Sequence, residues 1–249
     1  KTWSIFQARL VPDAQGNSNP NYEMFVAKLQ KVDDQIVGIE TPIQVSKPGS
    51  ANTCGWFHPT EPRILFGSTV VPPEDEKRPG YQREGSNYEW AFPTEMDIVT
   101  AELRWMETGE TPETVEGPGG VRILKSAVTT PLFTRAGYDA EGSWSPCGRY
   151  VLYTNVDPQT DDADLYIWDS ELDEHTLVVS APGYDGGPFF GPEGKRILYR
   201  SDRRGDKHLQ VFISDLAFDE KGRPSQAREY AITDDDHVNW APFFHPTGR

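Results

Sequence analysis

Apolar residues along this chain gather in short runs bounded by glycine, proline, aspartate or serine, and the runs return in the same setting. Trp56, Phe57, His58 and Pro59 precede a basic residue, Arg63, and then Ile64, Leu65 and Phe66. Trp144, Ser145 and Pro146 precede Arg149 and the run Tyr150, Val151, Leu152, Tyr153. Phe189, Phe190, Gly191 and Pro192 precede Arg196 and the run Ile197, Leu198, Tyr199. A fourth copy opens at Phe243, Phe244, His245 and Pro246 and reaches Arg249. A continuous run of three apolar residues suits a strand covered on both faces. In the clearest unit the pattern predicts strands at 188–190, 196–201, 209–215 and 228–233, with turns at 191–194 and 202–206. The unit before it opens a first strand at 138–142 and continues with strands at 150–154, 164–169 and 176–180.

The second unit is stretched, with strands near 53–57, 64–69, 97–103 and 121–124. Its insertion at 71–95 is charged and carries Tyr81, Tyr88 and Trp90. A loop of that length is either packed on the blade edge by its aromatics or contacts a ligand or partner. The first unit starts at its second strand, 2–8, followed by 22–27 and 41–45. Reading 243–249 on into 1–6 completes one more repeat.

The prolines of the four copies stand 87, 46 and 54 residues apart. Units of several short strands recurring every ~40–50 residues predict an all-β chain, a β-propeller of four-stranded antiparallel blades. The expected organisation is one domain over 1–249. Its blades are 1–48 plus 236–249, 49–133, 134–181 and 182–235. Two arrangements fit: a four-bladed ring closed by a blade split between the termini, or part of a six-bladed ring. Closure removes the unpaired edges that invite aggregation.

Composition narrows the function more than the fold. Apolar content is 36%, but 7 Trp, 10 Tyr and 12 Phe are not a disordered composition, and 22 Gly and 21 Pro suit many tight turns. A net charge of −15 argues against nucleic acid and anionic membrane surfaces as partners. No stretch approaches the ~18 apolar residues of a membrane span. The first residues show no leader pattern, so the chain is expected to be cytosolic or to have lost a signal peptide. Cys54 and Cys147 cannot build a disulfide framework and are expected as free thiols, buried or half-exposed.

The segment 183–202, with Leu209, Val211, Phe212 and Ile213 behind it, resembles the repeat of TolB-like propellers. That repeat is a small polar turn, a basic-Ile-x-aromatic strand, then an acidic-aliphatic-aromatic strand. The resemblance covers most of the chain and all four units. Glu193, Cys147 and Thr247 replace the usual turn aspartate, and the second copy reads Thr60, Glu61, Pro62. The resemblance implies an exported, periplasmic or secreted protein of the bacterial envelope. It also implies a binding or scaffold role rather than catalysis. A protein or peptide partner, met at the channel mouth and the 71–95 loop, is expected, and no cofactor. The N-terminal domain of TolB has no counterpart in these residues, so a role in the Tol system is not expected.

Candidate chemistry follows from the repeat. Asn52, Asp139, Asp185 and Asn239 each stand seven residues before a repeat proline, where the first strand begins, and His237 is close by. At the mouth of a central channel such a ring could bind Ca²⁺, with Asp139 and Asp185 as ligands, or capture a basic or amide-bearing peptide end. The same residues also fit a role in hydrogen-bonding the turn before the strand. His58 and His245 share a repeat position, which points to structure. No nucleophile elbow, phosphate loop or transition-metal spacing is present, and no catalytic residue is assigned. Two enzymatic alternatives remain: a carbohydrate-active propeller with Asp139 and Asp185 as its acid/base pair, or the propeller half of a prolyl-oligopeptidase-like peptidase.

Overall fold

The computed structural model describes residues 2–10, 21–74, 93–127, 130–245 and 247, and the backbone alone of 80–84 and 87–91. The chain begins with β1 (Trp3–Ala8), β2 (Glu23–Val32), β3 (Gln35–Ile39) and β4 (Ile43–Gln44). It continues with β5 (Asn52–Phe57), β6 (Arg63–Ser68), the hairpin β7 (Gly80–Glu84) and β8 (Asn87–Ala91), and β9 (Asp97–Glu102). A single-turn helix, α1 (Trp105–Thr108), leads to β10 (Thr114–Glu116), β11 (Arg122–Leu124) and β12 (Thr130–Pro131). Two four-strand units complete it. One is β13 (Tyr138–Trp144), β14 (Tyr150–Val156), β15 (Ala163–Asp169) and β16 (Glu174–Val179). The other is β17 (Asp185–Phe190), β18 (Arg196–Ser201), β19 (Gln210–Phe218) and β20 (Pro224–Ala231).

These strands form four blade sheets. Their orders are β1-β2-β4-β11-β10 with β3 on β2, β12-β9-β6-β5, β13-β14-β15-β16 and β17-β18-β19-β20. The third and fourth sheets are antiparallel meanders in chain order, as the repeat predicts. The strand predicted near 121–124 belongs elsewhere than in the second unit. It is β11, which pairs parallel with β4 of the first sheet, Arg122 opposite Ile43 and Ile123 opposite Gln44. The reason is apolar: Leu124 is buried in the cluster that holds Ile43 and Val45, whereas β12, which takes the outer place in the second sheet, is exposed.

Each second strand feeds two cores. Ile64 and Phe66 pack with Met24, Val26 and Ile43 between the first two sheets, while Leu65 turns to Trp144, Val151 and Tyr153 of the third. One blade further on, Leu152 packs with Ile197 and Tyr199 of the fourth sheet. Side chains alternate faces along a strand, so an unbroken apolar run places one set against each neighbouring blade. Burial of this kind is the main favourable contribution to folding.

The repeat proline turns also link blades. A Cβ on Gly148 would meet the His58 ring at 2.6 Å and Pro59 at 3.4 Å, and Gly148 itself takes φ +77°, so only glycine fits there. A clasp on the outer side adds to this. Arg223, in the β19–β20 turn, binds Glu174 of β16 at 2.6 and 3.1 Å, and the Tyr150 hydroxyl donates to the Gly222 carbonyl at 2.8 Å.

After β20 the residues 232–245 carry no strand, but they follow the fourth sheet closely. The amides of Ile232 and Asn239 donate to the carbonyls of Val211 and Leu209, at 2.8 and 2.9 Å. Phe244 is buried with Leu198 and Val211. β1 pairs with β2 and lies at the edge of its sheet. Lys1, Pro246, Gly248 and Arg249, which the predicted shared blade would use, lie outside the described residues. Cys54 is half-buried, and Cys147 is exposed, more open than its strand-end position suggested.

Candidate functional site

Asn52, Asp139 and Asp185 all sit at the start of the innermost strands, where the repeat places them, and are 4%, 0% and 0% exposed. Each stands opposite a polar residue of its own blade's second strand, Ser68, Asn155 and Ser201 respectively. Asn52 accepts from the Ser68 hydroxyl and donates to the Tyr22 carbonyl, both at 2.8 Å. Asp139 accepts from Asn155 Nδ2 at 2.8 Å, and Asp185 from Arg203 Nη2 at 2.9 Å. Burial pushes the Asp139 carboxyl up to about 7 and raises that of Asp185. Neither carboxylate reaches solvent, so a polymeric substrate has no access to them. Asn239 is half-buried and binds Gln210 and Asp235, at 3.3 and 3.1 Å, while His237 is exposed beside Asp235. Among the described residues no hydrogen bond joins Asn52, Asp139 and Asp185 to one another, and Asn239 donates only to its neighbour in this set, the His237 carbonyl, at 3.4 Å. Nor, among those residues, is any group of three or more His, Cys, Asp or Glu side chains placed to hold a metal. Tyr81 stands opposite Trp90 and Tyr88 opposite Arg83 in the β7–β8 hairpin, but their side chains lie outside what is described.

Two residues further along, the innermost strands share a feature that the repeat alone does not advertise. Cys54, Glu141 and Gly187 adopt left-handed backbone, with φ of 47°, 58° and 59°, and the ladder to the second strand shifts register there. Ala241, at the same offset from its proline, has φ 50°. Glycine is the usual residue for such a bulge, and only Gly187 signals it in the sequence.

Glu141 is the hub of this level. Its carboxylate accepts from the Gly187 amide at 2.6 Å, the Tyr184 hydroxyl at 2.8 Å, the Thr154 hydroxyl at 3.0 Å and Arg200 Nη2 at 3.3 Å. Arg200 lies 3.0 Å from the Tyr184 hydroxyl and 4.0 Å from the centroid of the Trp240 ring. Burial, with the Glu141 charge adding to it, pushes the Cys54 thiol up to about 11. A thiol so raised is protonated near neutral pH and is no nucleophile. The level therefore joins the third and fourth blades through a buried ion pair.

At the opposite end of the innermost strands the character changes. Trp56, Trp144 and Phe190, with Trp3, Phe243 and Phe244, line a cavity of about 620 Å³. Trp56, Phe189 and Phe243 meet ring to ring, at centroid separations of 5.4 to 6.0 Å. The polar lining includes His58, Glu61, Glu107 and Ser145. His58 Nδ1 accepts from the amides of Glu61 and Thr60, at 3.0 and 3.3 Å. Its Nε2–H therefore donates to the Gly148 carbonyl at 3.2 Å, and burial lowers its pKa. The imidazole is a neutral structural part, edge-on to Trp144 at 4.7 Å, in line with the role its repeat position suggested. The cavity was not singled out by the residue pattern because its walls are the aromatics of the repeat phrase, which read as core. Only the convergence of several blades exposes them to a common space.

Repeated four-stranded sheets packed through their first strands define a β-propeller. The fold is that of the TolB-like propellers. TolB of Agrobacterium tumefaciens superposes with a TM-score of 0.54 at 17% identity, covering 98% of this chain and 67% of that one. TolB of Acinetobacter baumannii gives 0.55 at 16% identity, covering 99% and 45%. A chain of a nidogen/laminin complex gives 0.51 at 9% identity, covering 94% and 62%. In sequence, 133 residues are 26% identical to an uncharacterized protein of Agrobacterium fabrum, and 110 residues are 27% identical to dipeptidyl-peptidase 5 of Porphyromonas gingivalis. These matches span 41% and 16% of the two relatives, less than half the length of either. No protein-family model matches the chain.

Proposed function

We propose that this propeller is a non-catalytic binding module of the bacterial envelope that receives an apolar segment of a protein or peptide in the aromatic cavity. The observation that carries the reading is the cavity itself, a concave site of ligand size walled by aromatic rings from several blades. Aromatic side chains dominate the energetics of recognition surfaces. Phe243, one of the lining rings, is 63% exposed and so open to a partner. A partner role agrees with one solved chain of this fold having been determined in a nidogen/laminin complex. No helix of the described residues is long and apolar enough to cross a membrane.

The reading moves the contact site away from the Asn52, Asp139 and Asp185 end, where the three side chains are buried. Panning a random peptide library on the protein tests it. Enriched peptides should carry a large apolar residue and lose binding to the Phe243→Ser variant. Peptides that bind wild type and variant alike would place recognition elsewhere.

A second reading is favoured by the 110-residue match to dipeptidyl-peptidase 5: the chain as the recognition part of a peptidase. Release of dipeptides from chromogenic substrates by the full-length gene product would support it.

A further inference from the structure

We infer, resting on the cavity reading above, that this site selects a cationic amine carried beside an apolar side chain, such as the free amino terminus of a peptide beginning with a large apolar residue. The faces of aromatic rings are negative and attract cations, most strongly where water is excluded. Among the described lining residues are Glu61 and Glu107 and no lysine or arginine. His58 adds no charge, since its Nδ1 is already committed as an acceptor to two backbone amides.

Arg63 pairs with Glu61 at 2.8 Å, whereas Glu107 has no ion pair among the described residues. Glu107 is thus the carboxylate best able to answer an incoming amine. The wall rings already draw cations that are not part of the lining: Arg63 lies 5.0 Å from the Trp144 centroid, and Arg196 5.8 Å from that of Phe244. The net charge of −15 also favours the approach of a cation over that of an anion.

Two small probes separate the inference from the reading beneath it. Phenylalanine amide carries a charged amine at about pH 6, and N-acetylphenylalanine amide has the same ring without the charge. Saturation-transfer NMR on the whole chain should show the free amine binding on the order of tenfold more tightly. Glu107→Gln should remove most of that preference and leave the acetylated probe unchanged. Equal binding of the two probes would overturn the amine selection while the cavity stands. Absence of binding by either, or binding that persists in Phe243→Ser, would overturn both.

Discussion

Glu141, at the bulge of β13 in the third blade, and Arg200, on β18 of the fourth, meet at 3.3 Å, the residues 5% and 6% exposed. Taking two charges out of water is costly, so such a pair is held by the hydrogen bonds around it as much as by its own attraction. Glu141→Leu would leave Arg200 buried without its carboxylate and cost about 3–5 kcal/mol. Replacing both, as Glu141→Leu with Arg200→Met, should recover a large part of that loss. Urea unfolding of the single and double variants measures both, and a single variant as stable as wild type would show that the pair contributes nothing.

Gly187 supplies one of the donors to Glu141 from a left-handed backbone. A Cβ there would lie 2.7 Å from the Arg200 guanidinium carbon. Gly187→Ala should therefore destabilise by roughly 1–3 kcal/mol, the range expected for forcing a side chain into such a conformation. Thermal unfolding compared with Gly205→Ala gives the control, since Gly205 also has positive φ but open space around its Cβ.

Asp139 and His175 set opposite pH dependences on one blade. Asp139 is raised to about 7 by burial, with Asn155 and Arg135 lowering it and Asp97 raising it. The folded chain thus holds a proton on Asp139 that the unfolded chain gives up near pH 4, so stability falls as pH rises from about 4 to 7 and stays reduced above that. Asp139→Asn should be the more stable protein at pH 8, by on the order of 2 kcal/mol, with the gain vanishing toward pH 4.

His175 is lowered to about 4 by burial and by Arg135. The Tyr153 hydroxyl accepts from Arg135 at 2.6 Å and so donates to His175 Nδ1 at 2.7 Å, a bond that needs the neutral ring. Its contribution is complete above the unfolded value of about 6.5 and is lost as pH falls toward 4. In wild type the two effects oppose over the same window. His175→Gln should expose the Asp139 slope, seen as rising melting temperature on acidification from pH 6.5 to 4.5. A profile as flat as wild type would mean that His175 does not titrate as described.

Leu152 of β14 and Leu177 of β16 lie in the third sheet's meander on either side of β15, one 0% and the other 47% exposed. Leu152→Ala should cost about 2–5 kcal/mol and Leu177→Ala well under 1 kcal/mol. Denaturant midpoints of the two variants test whether the core between the third and fourth blades is where the apolar runs place it.

Much of this architecture is legible in the residues because the repeat phrase is local. A turn, a basic residue and an apolar run together specify a second strand wherever they occur, as at Arg196 to Tyr199. The third strands were equally legible where alternation is regular, as at 209–215. What the residues hide is pairing between distant segments. Arg122 to Leu124 has the apolar content of any short strand, and only packing against Ile43 and Val45 assigns it to the first blade. The candidate site shows the same division. The offset that brings Asn52, Asp139 and Asp185 to equivalent places is readable, but their burial beside Ser68, Asn155 and Ser201 is not. The left-handed position is concealed further, since cysteine, glutamate and alanine occupy it in three copies of four.

The double duty of Ile64, Leu65 and Phe66 also limits how such a chain can vary in length. One inserted residue inside the run would reverse the outlook of every side chain beyond it, emptying two cores at a stroke. Insertions are tolerable only between strands, and the β7–β8 hairpin is such an addition, inserted between β6 and β9 without disturbing their register.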